Sequence, residues 1–240
     1  MRTVAVIGRK GGSGKTTIAS HLAIGLYLRG RRTLLADCDP QGSAIEVLTA
    51  RQGLGPDATA SSAEQIAGLK AAAVEAGYDA LVIDTPAVLQ QETEQAVLCA
   101  DLAILVVRPT FLDLSAAVHT TSIIRQLRRP GLVVMNQAPV TRENIEPPVV
   151  KRAVEALTLL RMPIAPVVVR SRAAYQSVLE SGRSVEELKA EMAATLEMKE
   201  LCAYIDRFVF GGGRASAPAP RMQPAAPARM LFAELEESAV

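Results

Sequence analysis

Six short apolar runs, near residues 3–7, 32–36, 79–83, 102–107, 131–135 and 164–169, punctuate the chain. Between and after them, apolar residues recur at helical spacing over 16–29, 42–50, 62–76, 91–100, 113–128, 147–161, 172–180 and 185–209. Strand-length runs alternating with helices predict an α/β fold, a mostly parallel, doubly wound sheet covered by helices on both faces. In the last helical segment, Val185, Leu188, Met192, Leu196, Ile205 and Phe208 keep mostly to helical spacing and are expected in the core. The stretch near 51–60 reads as an irregular connection. After Phe210 the pattern stops: Gly211 to Gly213 and an Ala/Pro-rich stretch cannot bury a core. The division expected is a domain over 1–210, a flexible linker over 211–228 and a short acidic amphipathic tail over 229–240.

The first apolar run leads directly into Arg9-Lys10-Gly11-Gly12-Ser13-Gly14-Lys15-Thr16-Thr17. Glycines here let backbone N–H groups turn inward around phosphate oxygens, and the helix that follows points its positive end at the same place. Lys15 is placed to touch β- and γ-phosphates and Thr16 to bind Mg²⁺. Gly11, Gly12, Ser13, Gly14, Lys15, Thr16 and Thr17 are therefore the expected nucleotide cradle, with ATP and Mg²⁺ as cofactors. The usual pattern, G-x-x-x-x-G-K-[ST], asks for glycine where this chain has Arg9, so the loop is a variant. Its extra cation, Lys10, comes too early to lie alongside Lys15.

Two further strand ends belong to the same crevice. Thr33 to Ala36 leads into Asp37-Cys38-Asp39-Pro40-Gln41-Gly42, and Ala80 to Ile83 ends in Asp84-Thr85-Pro86. In a parallel sheet, residues just past neighbouring strand ends converge. Asp84 is expected to hold Mg²⁺, directly or through water. Asp37 and Asp39 alternate on extended chain, so one is expected to support the metal shell and the other to orient the attacking water. Asn136, at a later strand end, carries a donor and an acceptor suited to an adenine edge, or else caps its strand. Backbone groups near Arg170 and Ser171 are candidates to assist it.

These three motifs resemble the ParA/MinD group of deviant P-loop ATPases, most closely the small ParA-type (ParF-like) plasmid-partition proteins. The likeness continues through Arg108-Pro109-Thr110 with Asp113 to Ala117, and from Arg170 to Glu186, covering about residues 1–208. Ala87 departs from it, since many relatives have proline or glycine there. The resemblance implies a role in trans for Lys10, which would reach the partner's phosphates across a nucleotide-sandwich homodimer. It also implies Asp39 as the residue that positions water, with Asp37 and Asp84 around the metal. Lys10, Lys15 and Asp39 are then the catalytic set, acting by positioning and charge stabilisation. A weak ATPase is expected, one that binds non-specific DNA when ATP-bound and is stimulated by a ParB-like centromere-binding or adaptor protein. The alternative is a MinD-like membrane- or protein-cluster-positioning ATPase, recruited to lipid or a membrane protein through the acidic tail.

Composition narrows this further. The 240 residues are 49% hydrophobic, enough for one substantial core. The strand begins almost at Met1, so no helix-turn-helix region and no operon repression are expected. Apolar runs are strand-length and polar-interrupted, which argues for a cytoplasmic protein, and the resemblance implies that it is nucleoid-associated. Three scattered cysteines lack metal-ligand spacing and argue against a metal-cluster carrier. His21 and His119 read as packing or surface residues. The net charge is only +1, yet bases outnumber acids over 111–185. Arg125, Arg128, Arg129, Lys151, Arg152 and Arg172 are the candidate DNA contacts. The tail carries Glu234, Glu236 and Glu237 against Arg229, the wrong sign for anionic lipid.

Overall fold

The computed structural model describes residues 1–52, 55–87, 90–143 and 145–211, so the linker and tail expected after Gly211 lie outside the described residues. Strands β1 (Arg2–Ile7), β2 (Thr33–Asp37), β3 (Asp57–Ala60), β4 (Ala80–Asp84), β5 (Leu102–Val107) and β6 (Gly131–Met135) form one sheet, ordered β3-β2-β4-β1-β5-β6. All five pairings are parallel. Side chains alternate across the sheet with period two. Val4, Val6, Leu35 and Val82 face one layer, built by α1 (Lys15–Leu28), α2 (Ser43–Ala50), α7 (Ala174–Ser177) and α8 (Ala193–Phe210). Ala5, Ile7, Leu34 and Ile83 face the other, built by α3 (Ile66–Glu75), α4 (Gln90–Cys99), α5 (Phe111–Gln126) and α6 (Pro148–Thr158). The doubly wound architecture is as expected from the alternation of runs.

Four expectations need correction. Residues 51–60 contain the edge strand β3, whose sequence Asp-Ala-Thr-Ala carries little apolar signal. Pairing with β2 and a 2.6 Å hydrogen bond from the Tyr78 hydroxyl to Asp57 hold it. Conversely, 164–169 runs beside β6 through isolated bridges at Ile164 and Arg170 only. Pro163 and Pro166 lack the N–H that a continuous ladder requires, although Ala165, Val167 and Val169 are still buried.

The long helix over 185–209 is also divided. Ser184 and Glu187 form a capping box that closes a single 3-10 turn at Val185–Glu187, and α8 starts afresh at Ala193. Its buried stripe is Ala194, Met198, Leu201, Cys202, Ile205 and Val209. Met192, Leu196 and Phe208 are exposed, contrary to their expected place in the core. Over 172–180, only α7 and a 3-10 turn at Leu179–Ser181 form. His21 is fully buried, edge-on to the Tyr175 ring at 5.5 Å, and burial pushes its pKa down to about 4, so it packs as a neutral ring.

The C-terminal end of α2 is locked to this region. Arg51 donates to the Gly182 carbonyl at 3.0 Å and to both Glu187 oxygens at 2.8 and 2.9 Å. Gly182 has φ +66, and an added Cβ would fall on the Arg51 backbone. Gly182→Ala combines left-handed strain with overpacking, so a loss of about 2–4 kcal/mol in denaturant unfolding is expected.

Candidate functional site

The phosphate loop leaves β1 at the carboxyl edge of the sheet, between β4 and β5. Gly12 and Gly14 have φ of 72 and 89, which lets the chain coil tightly before α1 begins at Lys15. Close approach also fixes Gly8, where a Cβ would sit 2.9 Å from the Val106 carbonyl.

Strand register brings the acids together. Asp37 and Asp84 are Cα partners at the ends of β2 and β4, and Asp84 is also paired with Val6 of β1. Partners across a ladder point to the same face, here the α1 side. Asp84 is fully buried, and neither carboxylate oxygen has a hydrogen-bond partner among the described residues. Burial raises its pKa to about 7, the Thr16 hydroxyl and Lys15 oppose the rise, and the neighbouring carboxylates of Asp37 and Asp39 add to it. Lys15 is 7% exposed, and burial pushes its pKa down against the pull of Asp84 and Asp39. Two buried ionisable groups, neither in a salt bridge among the described residues, suit a polyphosphate and its cation. Thr16 and Asp84 offer the hard oxygen donors that Mg²⁺ prefers, so the residues fit the metal.

Asp37 has taken on a further task. Its Oδ2 accepts from the N–H groups of Ala44 and Ile45, at 2.9 and 3.1 Å, and its Oδ1 accepts from Asp39 at 3.1 Å. It thereby caps α2, whose own N-cap is Gly42 and contributes no side chain. Any support it gives to a metal comes from capacity left over by these three bonds. Asp39 is half-buried, and among the described residues its side chain accepts only from Gln41 N–H, at 3.0 Å to Oδ1. Lys10 is half-buried and has no hydrogen-bond or ion-pair partner among the described residues.

The titration of Asp84 has a measurable consequence. Its folded pKa, about 7, lies above the ordinary value of 3.8, so the folded protein holds a proton that the unfolded chain releases. Stability of the nucleotide-free protein therefore falls as pH rises from the ordinary carboxylate range toward about 7. Asp84→Asn removes this penalty. The variant should be clearly more stable than the parent at pH 8 and nearly equal to it at pH 4.5 in denaturant titrations, while losing Mg²⁺-dependent nucleotide binding.

A family model described as the CobQ/CobB/MinD/ParA nucleotide binding domain matches residues 4–206. The chain belongs to this family. Like other ParA/MinD proteins it is an ATPase that uses ATP with Mg²⁺. It is 32% identical over 215 residues to the "Maintenance of carboxysome distribution protein A" of Gloeobacter kilaueensis, covering 86% of this chain and 94% of that one. Identity to the chromosome-partitioning ATPase Soj of Thermus thermophilus is 29% over 158 residues, covering 53% and 63%. The fold matches the septum site-determining protein MinD of Pyrococcus horikoshii, solved with Mg-ADP, with a TM-score of 0.73 at 19% identity over 90% and 99% of the two chains.

Asn136 is 3% exposed, and its Nδ2 gives one hydrogen to the Ser13 carbonyl at 2.8 Å, so part of its amide is committed to the phosphate loop. Near it, the Arg170 N–H is taken by Glu197 and the Ser171 N–H by the Ala138 carbonyl.

The basic positions do not form one stripe. Arg172 is bound to Glu197 at 2.6 Å and is not free to meet phosphate. Lys151 and Arg152, near the start of α6, lie at the carboxyl edge of the sheet. Arg125, in the last turn of α5, with Arg128 and Arg129 just before β6, lies at the opposite, amino edge. Arg161, just after α6, joins them there.

Proposed function

We propose that this ATPase positions a bulky intracellular cargo: Mg-ATP closes a homodimer, the dimer holds non-specific DNA, and an adaptor protein triggers hydrolysis and release. The reading is carried by Lys10. It is a half-buried cation at the mouth of the phosphate loop with no partner among the described residues, although the loop's own phosphate-contacting lysine is Lys15. A cation so placed suits a second protomer's nucleotide better than its own. Arriving only on dimerisation, it would act as an arginine finger does.

For the DNA contact, support comes from the amino edge. Arg125, Arg128, Arg129 and Arg161 are exposed, and their side chains have no partner among the described residues. Arg128 and Arg161 follow the ends of α5 and α6 with φ of 53 and 49, where glycine is usual. Keeping arginine in a left-handed position costs about 1 kcal/mol and is reasonable where the charge is used. As cargo we favour a protein assembly, because the carboxysome-distribution relatives align over nearly their whole length. Chromosome or plasmid partition is the second reading, supported by the Soj likeness.

Labelled protein followed in cells tests the scheme. Asp39→Ala, held in the ATP form, should coat the nucleoid, whereas Lys10→Ala should spread evenly. Identical patterns for the two variants would contradict the scheme.

A further inference from the structure

Three consecutive carbonyls of the phosphate loop are held from outside by side chains. Ser13 O accepts from Asn136 Nδ2 at 2.8 Å, Gly12 O from Gln137 Nε2 at 2.9 Å, and Gly11 O from Arg108 Nη2 in a long contact of 3.5 Å. A trans peptide holds its C=O and the next N–H antiparallel. Turning the carbonyls of 11, 12 and 13 outward therefore turns the N–H groups of Gly12, Ser13 and Gly14 inward, where a phosphate sits.

Each of the three side chains is itself fixed. Asn136 continues the β5–β6 ladder through its N–H to the Val107 carbonyl at 2.8 Å, and it packs so tightly on Gly14 that a Cβ there would overlap its amide nitrogen. Gln137 adopts φ 52, a conformation uncommon for a residue with a side chain. It is exposed, so no burial of its own explains that cost. The Arg108 guanidinium makes two 3.1 Å hydrogen bonds to Asp113, which also accepts from the Thr110 hydroxyl at 2.7 Å. Burial alone would raise the Asp113 pKa, but these bonds hold it below the usual carboxylate range.

We propose that Asn136 and Gln137, assisted by Arg108, are positioning residues that preform the phosphate loop for the polyphosphate of ATP. Preorganisation of this kind lowers the ordering cost that binding would otherwise meet. It acts on any ligand that fills the loop, in proportion to its phosphates and irrespective of its base. The proposal rests on the ATPase assignment and is independent of the cargo.

The test compares binding of Mg-ATP, Mg-GTP and magnesium tripolyphosphate by the full chain and by the variants Gln137→Gly and Asn136→Ala. Gln137→Gly keeps the left-handed φ without strain, so its melting temperature should stay close to that of the parent. Its affinity should nevertheless fall about five- to tenfold, the worth of one hydrogen bond, and by the same factor for all three ligands. Asn136→Ala should behave alike in its ligand ratios even if it is less stable. Unchanged affinity in Gln137→Gly would overturn the proposal. So would a loss confined to ATP with tripolyphosphate binding intact, which would make these residues readers of the base and not supports of the loop.

Discussion

Lys10→Ala lowers steady-state ATP hydrolysis by about 10³-fold, while ATP binding to the protomer stays within about twofold of the parent. The asymmetry follows from where the two lysines sit. Lys15 opens α1, is buried beside Asp84 and Asp39, and belongs to ground-state phosphate binding. Lys10 lies outside that nest and has no partner among the described residues. Its removal takes charge only from the transition state assembled in the dimer, so it should appear in kcat and not in the dissociation constant. Equilibrium dialysis with a slowly hydrolysed ATP analogue, alongside phosphate release, separates the two. A loss of binding as large as the loss of rate would place Lys10 in its own protomer's site instead.

Asp39→Ala lowers hydrolysis by about 10²-fold or more and leaves the protein in its ATP-bound state. Asp39 is half-buried and its side chain accepts one backbone hydrogen bond among the described residues, so its loss should cost little stability. Asp37, two residues earlier, provides the contrast. It accepts three backbone N–H groups and caps α2, so Asp37→Ala should cost about 1–3 kcal/mol of stability in addition to any effect on rate. Thermal melts and single-turnover rates of the two variants check this division. Equal destabilisation by both would mean that Asp39 is a turn former.

Much of this was legible in the chain because it depends on local pattern. Alternating runs specified the doubly wound sheet, and the glycines and lysines of 10–17 specified the phosphate loop before any contact was known. Asp84 could be singled out only together with Asp37 and Asp39, because one carboxylate at a strand end is as often a cap or turn former. The remainder depended on backbone geometry or distant partners. β3 has an unremarkable sequence and exists because β2 offers an edge. Met192, Leu196 and Phe208 have core-like spacing, but the segment breaks after the 3-10 turn at Val185–Glu187, and α8, starting afresh at Ala193, leaves all three exposed. The role of Gln137 left no sequence signal, because it rests on a left-handed φ and on a carbonyl 125 residues away. Arg108 had a partial one: Thr110 followed three residues later by Asp113 is a helix-start pattern, and the same aspartate anchors the arginine.

The most direct test is the affinity of the purified chain for non-specific duplex DNA in ADP, in ATP and in a slowly hydrolysed ATP analogue, at two salt concentrations, with Lys10→Ala and Asp39→Ala alongside. Binding is expected only with ATP or the analogue, weaker at the higher salt, retained by Asp39→Ala and lost in Lys10→Ala. Equal DNA binding in every nucleotide state, or none in any, would contradict an ATP-gated dimer that carries its cargo on DNA.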